Sequence, residues 1–255
     1  MSERWKVRVM KSAPVVAVTI LKWGGIVLGS LILLLVVGFV VVPPLTRAFT
    51  DRWGATDAEV AESLPGDELV KDPRQSATRA ITIEAPAGLV MKLVRQQGYK
   101  RGGWHGWDWF YNSTGSGDFV DGHFSTRIVP ELQDIELGDK VYINTAVSYF
   151  VEQDTAPTAT EPGVFLLFGG GAGGKDLRAA DADKATDAST SWVWVAKPVG
   201  PNETRLVLRI RGDMRGQGAF VAWLFDNPLD FGGALFANKT LHGIKATAEM
   251  LAAKE

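Results

Sequence analysis

The chain has 255 residues, 46% hydrophobic and 22% charged, which is enough for one sizeable domain or two small ones and excludes collagen-like, coiled-coil and wholly disordered chains. It holds no cysteine, so disulfide scaffolds, thiolate zinc sites, iron–sulfur clusters and cysteine nucleophiles are excluded together. The net charge of −2 conceals an uneven spread: residues 1–45 carry Arg4, Lys6, Arg8, Lys11 and Lys22 against Glu3, leaving 22 basic and 28 acidic residues, a net of −6, in 46–255. Nucleic-acid binding needs a basic stripe to displace counterions from phosphates, and the bulk of the chain has the opposite sign.

The first predicted element is a membrane span. Residues 23–42 are twenty consecutive residues without a charge, and at about 1.5 Å per helical residue they cover the roughly 30 Å of bilayer hydrocarbon. A core helix that is apolar all round would need more protein than this to cover it. The apolar stretch of a cleaved signal is shorter, about 7–15 residues, and ends in a small-x-small site; this run ends in Val42-Pro43-Pro44-Leu45. Four basic residues precede the span proper and Lys22 snorkels at its edge, whereas only Arg47 and Arg52, with Asp51 beside them, follow closely. The positive-inside bias then predicts a cell-membrane protein with a cytoplasmic amino terminus and an extracytoplasmic remainder. The expected organisation is a basic tail over 1–13, a transmembrane helix over 14–43, a linker over 44–76 and a folded domain over 77–255.

Pro43-Pro44 is expected to stop the helix, and 45–76 reads as a tether with at most one short helix near 57–64. Ile81 and Ile83 alternate with Thr82 and Glu84, a two-residue period that predicts a half-buried strand over 78–84. Ala85-Pro86 then opens a helix running to about Gln97. Further strands are expected over 140–151, 163–168, 191–197 and 204–210. The last segment returns to helix, with Asp226-Asn227-Pro228 as cap and first-turn proline and with Phe231, Leu235, Leu241, Ile244, Ala248 and Leu251 near one stripe. Strand, helix, several strands and a long final helix make an α+β fold, an antiparallel sheet with a helix laid over it.

Four stretches carry a resemblance to a known family. They are Gly66-Asp67-Glu68-Leu69-Val70 with the segment 77–86; Arg101-Gly102-Gly103-Trp104-His105-Gly106-Trp107-Asp108-Trp109; Arg127-Ile128-Val129-Pro130-Glu131-Leu132-Gln133 with Leu137-Gly138-Asp139; and Leu241-His242-Gly243-Ile244-Lys245 with Ala248-Glu249. In this order they resemble the SRPBCC superfamily, also called START or Bet v 1-like and related to polyketide cyclases and dehydrases, in a membrane-anchored bacterial subgroup. The resemblance covers 66–250. It implies a helix-grip fold with a cavity between sheet and final helix. Met91, where the resemblance leads one to expect Trp, and the Gly-rich stretch 169–190 depart from it.

Nine Trp and twelve Phe are many for this length, and Trp104, Trp107, Trp109, Phe110 and Tyr111 fall within eight residues. Such a cluster forms either core beneath the sheet or the aromatic wall of a pocket, since pockets are mostly apolar with a few placed polar groups. The candidate ligand-binding residues are Trp104, Trp107, Asp108, Trp109, Phe110 and Arg127, with Trp192 and Trp194 sharing a strand face and Phe231 and Leu235 on the final helix. An Asp108–Arg127 pair would orient a polar ligand end or tie a loop to the sheet. His105, His123 and His242 show no metal-ligand spacing, so no metal and no cofactor is expected. Residues 169–175 fit the spacing of a phosphate loop, but Asp176 follows where magnesium needs a hydroxyl, and the stretch reads as a loop.

No nucleophile elbow, Cys-His pair or spaced carboxylate dyad is legible, so no catalytic residue is assigned and the reading leans away from an enzyme. The leading expectation is a membrane-anchored binding module for a hydrophobic small molecule or lipid. The alternatives are a polyketide cyclase/dehydrase-like enzyme using His105, Asp108 and Arg127, and a non-catalytic envelope scaffold whose cavity is filled by its own side chains.

Overall fold

The computed structural model describes residues 3–169, 178–179 and 189–254. The Gly-rich stretch read as a phosphate-loop look-alike therefore lies almost wholly outside the described residues. The chain forms two compact units, Met1–Leu45 and Thr46–Glu255.

Helix α1 (Glu3–Thr50) supplies the first unit and enters the second. Its apolar side chains, among them Leu21, Leu28, Leu34, Leu35 and Phe39, are exposed, and the part Val18–Thr50 is long and apolar enough to cross a membrane. The helix does not stop at Pro43-Pro44 as expected. Each proline removes a donor from the ladder, but the end of the helix is held by β1 and the residue before it: Arg47 donates to Arg74 O and Arg79 to Thr50 O, both at 2.8 Å, and the backbone N–H of Thr78 donates to Asp51 O at 2.7 Å.

The second unit is built on one six-stranded antiparallel sheet of order β1-β6-β5-β4-β3-β2. Its strands are β1 (Gln75–Ile83), β2 (Lys140–Tyr142), β3 (Ser148–Thr155), β4 (Gly163–Gly169), β5 (Ser189–Gly200) and β6 (Glu203–Asp213). The run 140–151 is thus two strands with a turn, closed where Asn144 Oδ1 accepts the N–H groups of Ala146 and Val147. In β5 the register shifts between Pro198 and Gly200, where proline cannot donate to the ladder.

Because side chains alternate along a strand, the sheet has two different faces. Inward go Ile81 and Ile83 of β1, Tyr149 and Val151 of β3, Phe165 and Leu167 of β4, Trp194 and Ala196 of β5 and Leu206 and Leu208 of β6, and these join the main core. That core is completed by helix α3 (Ala87–Arg95) and by α6 (Asp230–Ala252) through Ala237, Leu241, Ile244 and Ala248. Outward go Ala80, Val164, Leu166, Val193, Val195 and Val207, which form a second cluster with Leu64.

The covering of that outer face is the segment expected as a tether. It contains the short helix α2 (Asp57–Ala61), with Thr56 and Glu59 in a reciprocal capping box. Outward-pointing arginines of β6 clasp it to the sheet. Arg209 reaches the carbonyls of Glu59, Val60 and Glu62 and the carboxylate of Asp67 at 2.7–3.0 Å, and Arg205 grips Glu59 at 2.7 and 2.9 Å. The composition of 46–76 looked like linker because its cohesion comes from strand partners more than a hundred residues away.

The final helix also starts earlier than its cap signal suggested. Helix α5 (Ala219–Leu224) runs through a π-helical stretch (Phe225–Leu229) into α6. Pro228 sits inside that stretch, where the wider turn accommodates its missing donor, and Asn227 Nδ2 donates to Trp223 O at 2.9 Å instead of capping a start.

Candidate functional site

Between the inner face of the sheet and the start of α6 lies a cavity of about 350 Å³. Its origin is a mismatch in side-chain size. Along α6 the wall includes the small residues Gly233, Ala234 and Ala237 beside Asp230, Phe236 and Thr240, while the sheet offers, among others, Trp192, Trp194, Leu208 and Ile210 from two strands. Further along the helix the facing residues become Leu241 and Ile244, both fully buried, and the core closes. Small residues on one wall, without an interdigitating partner, leave space that close packing elsewhere fills.

A loop carries the aromatic end of the wall. Gly103 adopts φ 78°, and a Cβ at Gly102 would approach Gln96 O to 2.9 Å, so the Arg-Gly-Gly motif is a tight turn against the end of α3. Arg101 anchors it by donating to the carbonyls of Arg95 and Leu132 at 2.9 and 3.0 Å. Trp104 emerges from the turn into the wall, and its carbonyl accepts from Thr240 Oγ1 of α6 at 2.7 Å. A Cβ at Gly243 would meet His105 O at 2.2 Å, which explains the glycine in the last motif. Trp104 packs edge-on to Trp192 with centroids 6.0 Å apart, and Tyr149 packs on Trp192 at 5.5 Å. Burial pushes the Tyr149 hydroxyl up to about 12, so it stays a neutral phenol.

Of the candidate residues, Trp104, Phe110, Trp192 and Trp194 line the cavity. Phe110 comes from helix α4 (Asp108–Ser113), where Asp108 Oδ1 accepts the N–H of Phe124 at 3.2 Å and Trp109 is 69% exposed. Trp107 stands behind the wall, edge-on to Phe236, a wall residue, at 5.1 Å. Arg127 pairs with Asp121 at 2.8 Å on the surface and does not meet Asp108. Phe231 and Leu235 lie off the wall. At about 100° per residue, the six positions from Leu235 to Leu241 put the two on different faces of the helix. His105 is fully buried next to the turn, and burial, outweighing a backbone contact at Ser125, pushes it down to about 4. His242 packs against Trp53 instead.

The other end of the wall is polar and was not among the candidates. Arg79 of β1 points inward between Ala77 and Ile81 and is 2% exposed. It donates to Thr50 O at 2.8 Å, and its guanidinium lies 3.6 Å from Asp51. Burial lowers its pKa, partly offset by Asp51 and Asp230. Asp230 lines the cavity beside it. Burial first and then the neighbouring Asp51 raise the Asp230 carboxyl to about 6, against the attraction of Arg47 and Arg79. Gln75 completes this end and donates its amide to Phe225 O. Parity carried a signal for Arg79: with Ile81 and Ile83 inward, position 79 must also face the core. Nothing local in the sequence marked Asp230.

No protein-family profile and no curated protein matches the chain. Solved structures similar to it include a hypothetical protein from Helicobacter pylori, 8% identical, covering 76% of this chain and 99% of that one with a TM-score of 0.42. The di-domain ARO/CYC BexL is 12% identical over 69% of this chain and 47% of its own, with a TM-score of 0.36. The human StarD13 lipid transfer and protein localization domain is 12% identical over 70% of this chain and 79% of its own, with a TM-score of 0.33. The architecture itself, an antiparallel six-stranded sheet closed over a long carboxy-terminal helix and preceded by an apolar helix, is that of a helix-grip α+β fold.

Proposed function

We propose that the protein is a membrane-anchored binding module that holds a hydrophobic small molecule or lipid in the cavity between its sheet and α6. The observation that carries this reading is the space of about 350 Å³ walled mainly by Trp, Tyr, Phe, Leu and Ile side chains, with few polar groups at its end; apolar pockets with sparse polar groups are the common form of small-molecule site. The apolar helix serves as a retained anchor through 14–43, with the amino terminus in the cytoplasm and the domain from Thr46 across the membrane. Purifying the full chain, extracting it with organic solvent and analysing the extract by mass spectrometry tests the binding reading. A recurrent near-stoichiometric hydrophobic compound is expected, and chains empty in repeated preparations overturn it. Intact mass of the membrane-bound protein distinguishes an anchor from a cleaved signal, and protease access to the carboxy terminus in intact cells reports the orientation.

An enzymatic reading of the polyketide cyclase/dehydrase sort is favoured by one observation, Asp230, a carboxyl on the cavity wall held near neutral pH, where acid–base groups work well. His105, Asp108 and Arg127 do not line the cavity. Under this reading Asp230→Asn abolishes turnover but not binding.

A further inference from the structure

We infer that the cavity takes a hydrophobic alcohol or phenol whose neutral hydroxyl donates a hydrogen bond to the carboxylate of Asp230. This rests on the binding reading above and adds the class of ligand to it.

Hydrogen bonding is the first argument. Asp230 stands on the cavity wall with 14% of its side chain accessible, and among the described residues no group donates to it. Its nearest cation, Arg47, is 3.8 Å away and gives the same Nε–H to Asp51 at 3.2 Å instead. The other donors of this end are engaged as well. Arg79 gives to Thr50 O at 2.8 Å, Gln75 gives its amide to Phe225 O, and Arg74 pairs with Asp226 at 2.5 Å. An occupant that covers an accessible carboxylate takes water from it, and a ligand that cannot replace that water's donors loses affinity. A hydroxyl replaces them; an alkyl chain, an ether or an ester does not.

Charge is the second. Arg47, Arg74 and Arg79 are paired at this end with Asp51, Asp226 and Asp230, three groups of each sign. An ammonium or carboxylate ligand adds a charge that this set leaves unbalanced, at the cost of its own desolvation. A neutral hydroxyl keeps the balance and still gains the stronger bond that an ionised acceptor makes.

The test uses full-length protein at pH 8, where Asp230, with its value raised to about 6, is ionised. Nanodiscs of dioleoyl phosphatidylcholine carry 1-dodecanol, dodecyl methyl ether, dodecane or dodecylamine at equal mole fraction, and the protein is released from them for native mass spectrometry. Dodecanol adducts are expected to exceed those of each other probe by roughly tenfold or more, the value of a hydrogen bond to a charged group. The ether, the alkane or the amine bound as well as dodecanol overturns this inference and leaves the binding reading intact. Absence of every adduct removes both. Asp230→Leu is expected to lower the dodecanol-to-dodecane ratio roughly tenfold with dodecane binding unchanged, and Asp230→Asn, which keeps an acceptor oxygen without its charge, roughly threefold. An unchanged ratio in either variant overturns the assignment to Asp230, so the asparagine variant decides it where the leucine variant fails to fold.

Discussion

The two faces of the one sheet solve the same problem in opposite ways. The outer face is small and β-branched, with Val164, Val193, Val195 and Val207, and is closed by a strap of chain that arginines hold down. The inner face carries Trp192, Trp194, Tyr149 and Ile210 against glycine and alanine of α6 and remains hollow. Large side chains do not by themselves make a full core; matched side chains do. The outer face shows where polar bonds can finish what modest apolar area begins, and the inner face shows where space is kept.

The largest expected effect breaks the outer face. Arg209, almost fully buried, serves three carbonyls and a carboxylate. Arg209→Met is expected to destabilise the domain by about 3–5 kcal/mol, because it takes the buried guanidinium from the strap carbonyls and leaves Asp67 only the Leu64 N–H and the more distant Arg211. The midpoint of urea unfolding, followed by tryptophan fluorescence, measures this, and a loss under about 1 kcal/mol would mean that the strap is held by its apolar contacts alone.

Next in size is the acid sensitivity of the turn behind the inner wall. His105 has a folded-state value near 4 against an ordinary 6.5. Its unfolded form therefore takes up a proton first as pH falls, and the stability present above about pH 6.5 is lost progressively down to pH 4, by about 3 kcal/mol. His105→Asn, which tolerates the positive φ of 52°, is expected to flatten that slope. Asp230 works in the opposite direction. With its value raised to about 6, the folded form binds the extra proton, so its contribution is greatest at low pH and is lost as pH rises through 6. Asp230→Asn is accordingly expected to raise stability at pH 7 and to steepen the remaining loss in acid, both read from unfolding curves across the pH range.

Filling the hollow sharpens the comparison from the inner side. Ala237→Leu is expected to change stability by no more than about 1 kcal/mol, because the added atoms enter existing space, whereas overpacking a closed core costs about 1–3 kcal/mol. Ligand recovered by solvent extraction should fall at least several-fold. Unchanged ligand content would place the occupant elsewhere. The smallest effect is expected at Trp109, 69% exposed beside the wall residue Phe110. Trp109→Ala should stay within about 0.5 kcal/mol in the same unfolding assay.

Much of this was legible before any coordinates, and the reasons differ by element. A run of twenty uncharged residues states its own length, and alternation states a strand, because both periods are local properties of the backbone. The four aromatic residues Trp104, Phe110, Trp192 and Trp194 could be found for the same reason, by density and parity. Phe231 and Leu235 were misplaced because a stripe with a six-residue step crosses helix faces. Arg127 suggested a partner that is not beside it, since an exposed arginine takes the nearest acid, Asp121.

Sequence alone therefore determined what short-range periodicity encodes: the apolar helix, the strands, the long final helix and the α+β class. Tertiary structure decided what depends on partners distant along the chain. It made a covering layer of 46–76 through Arg205 and Arg209, carried α1 past its prolines, and set small helix residues opposite large strand residues so that a cavity remains with Arg79 and Asp230 at its end. Volume and electrostatic environment are sums over neighbours in space, and neighbours in space exist only after the chain has folded.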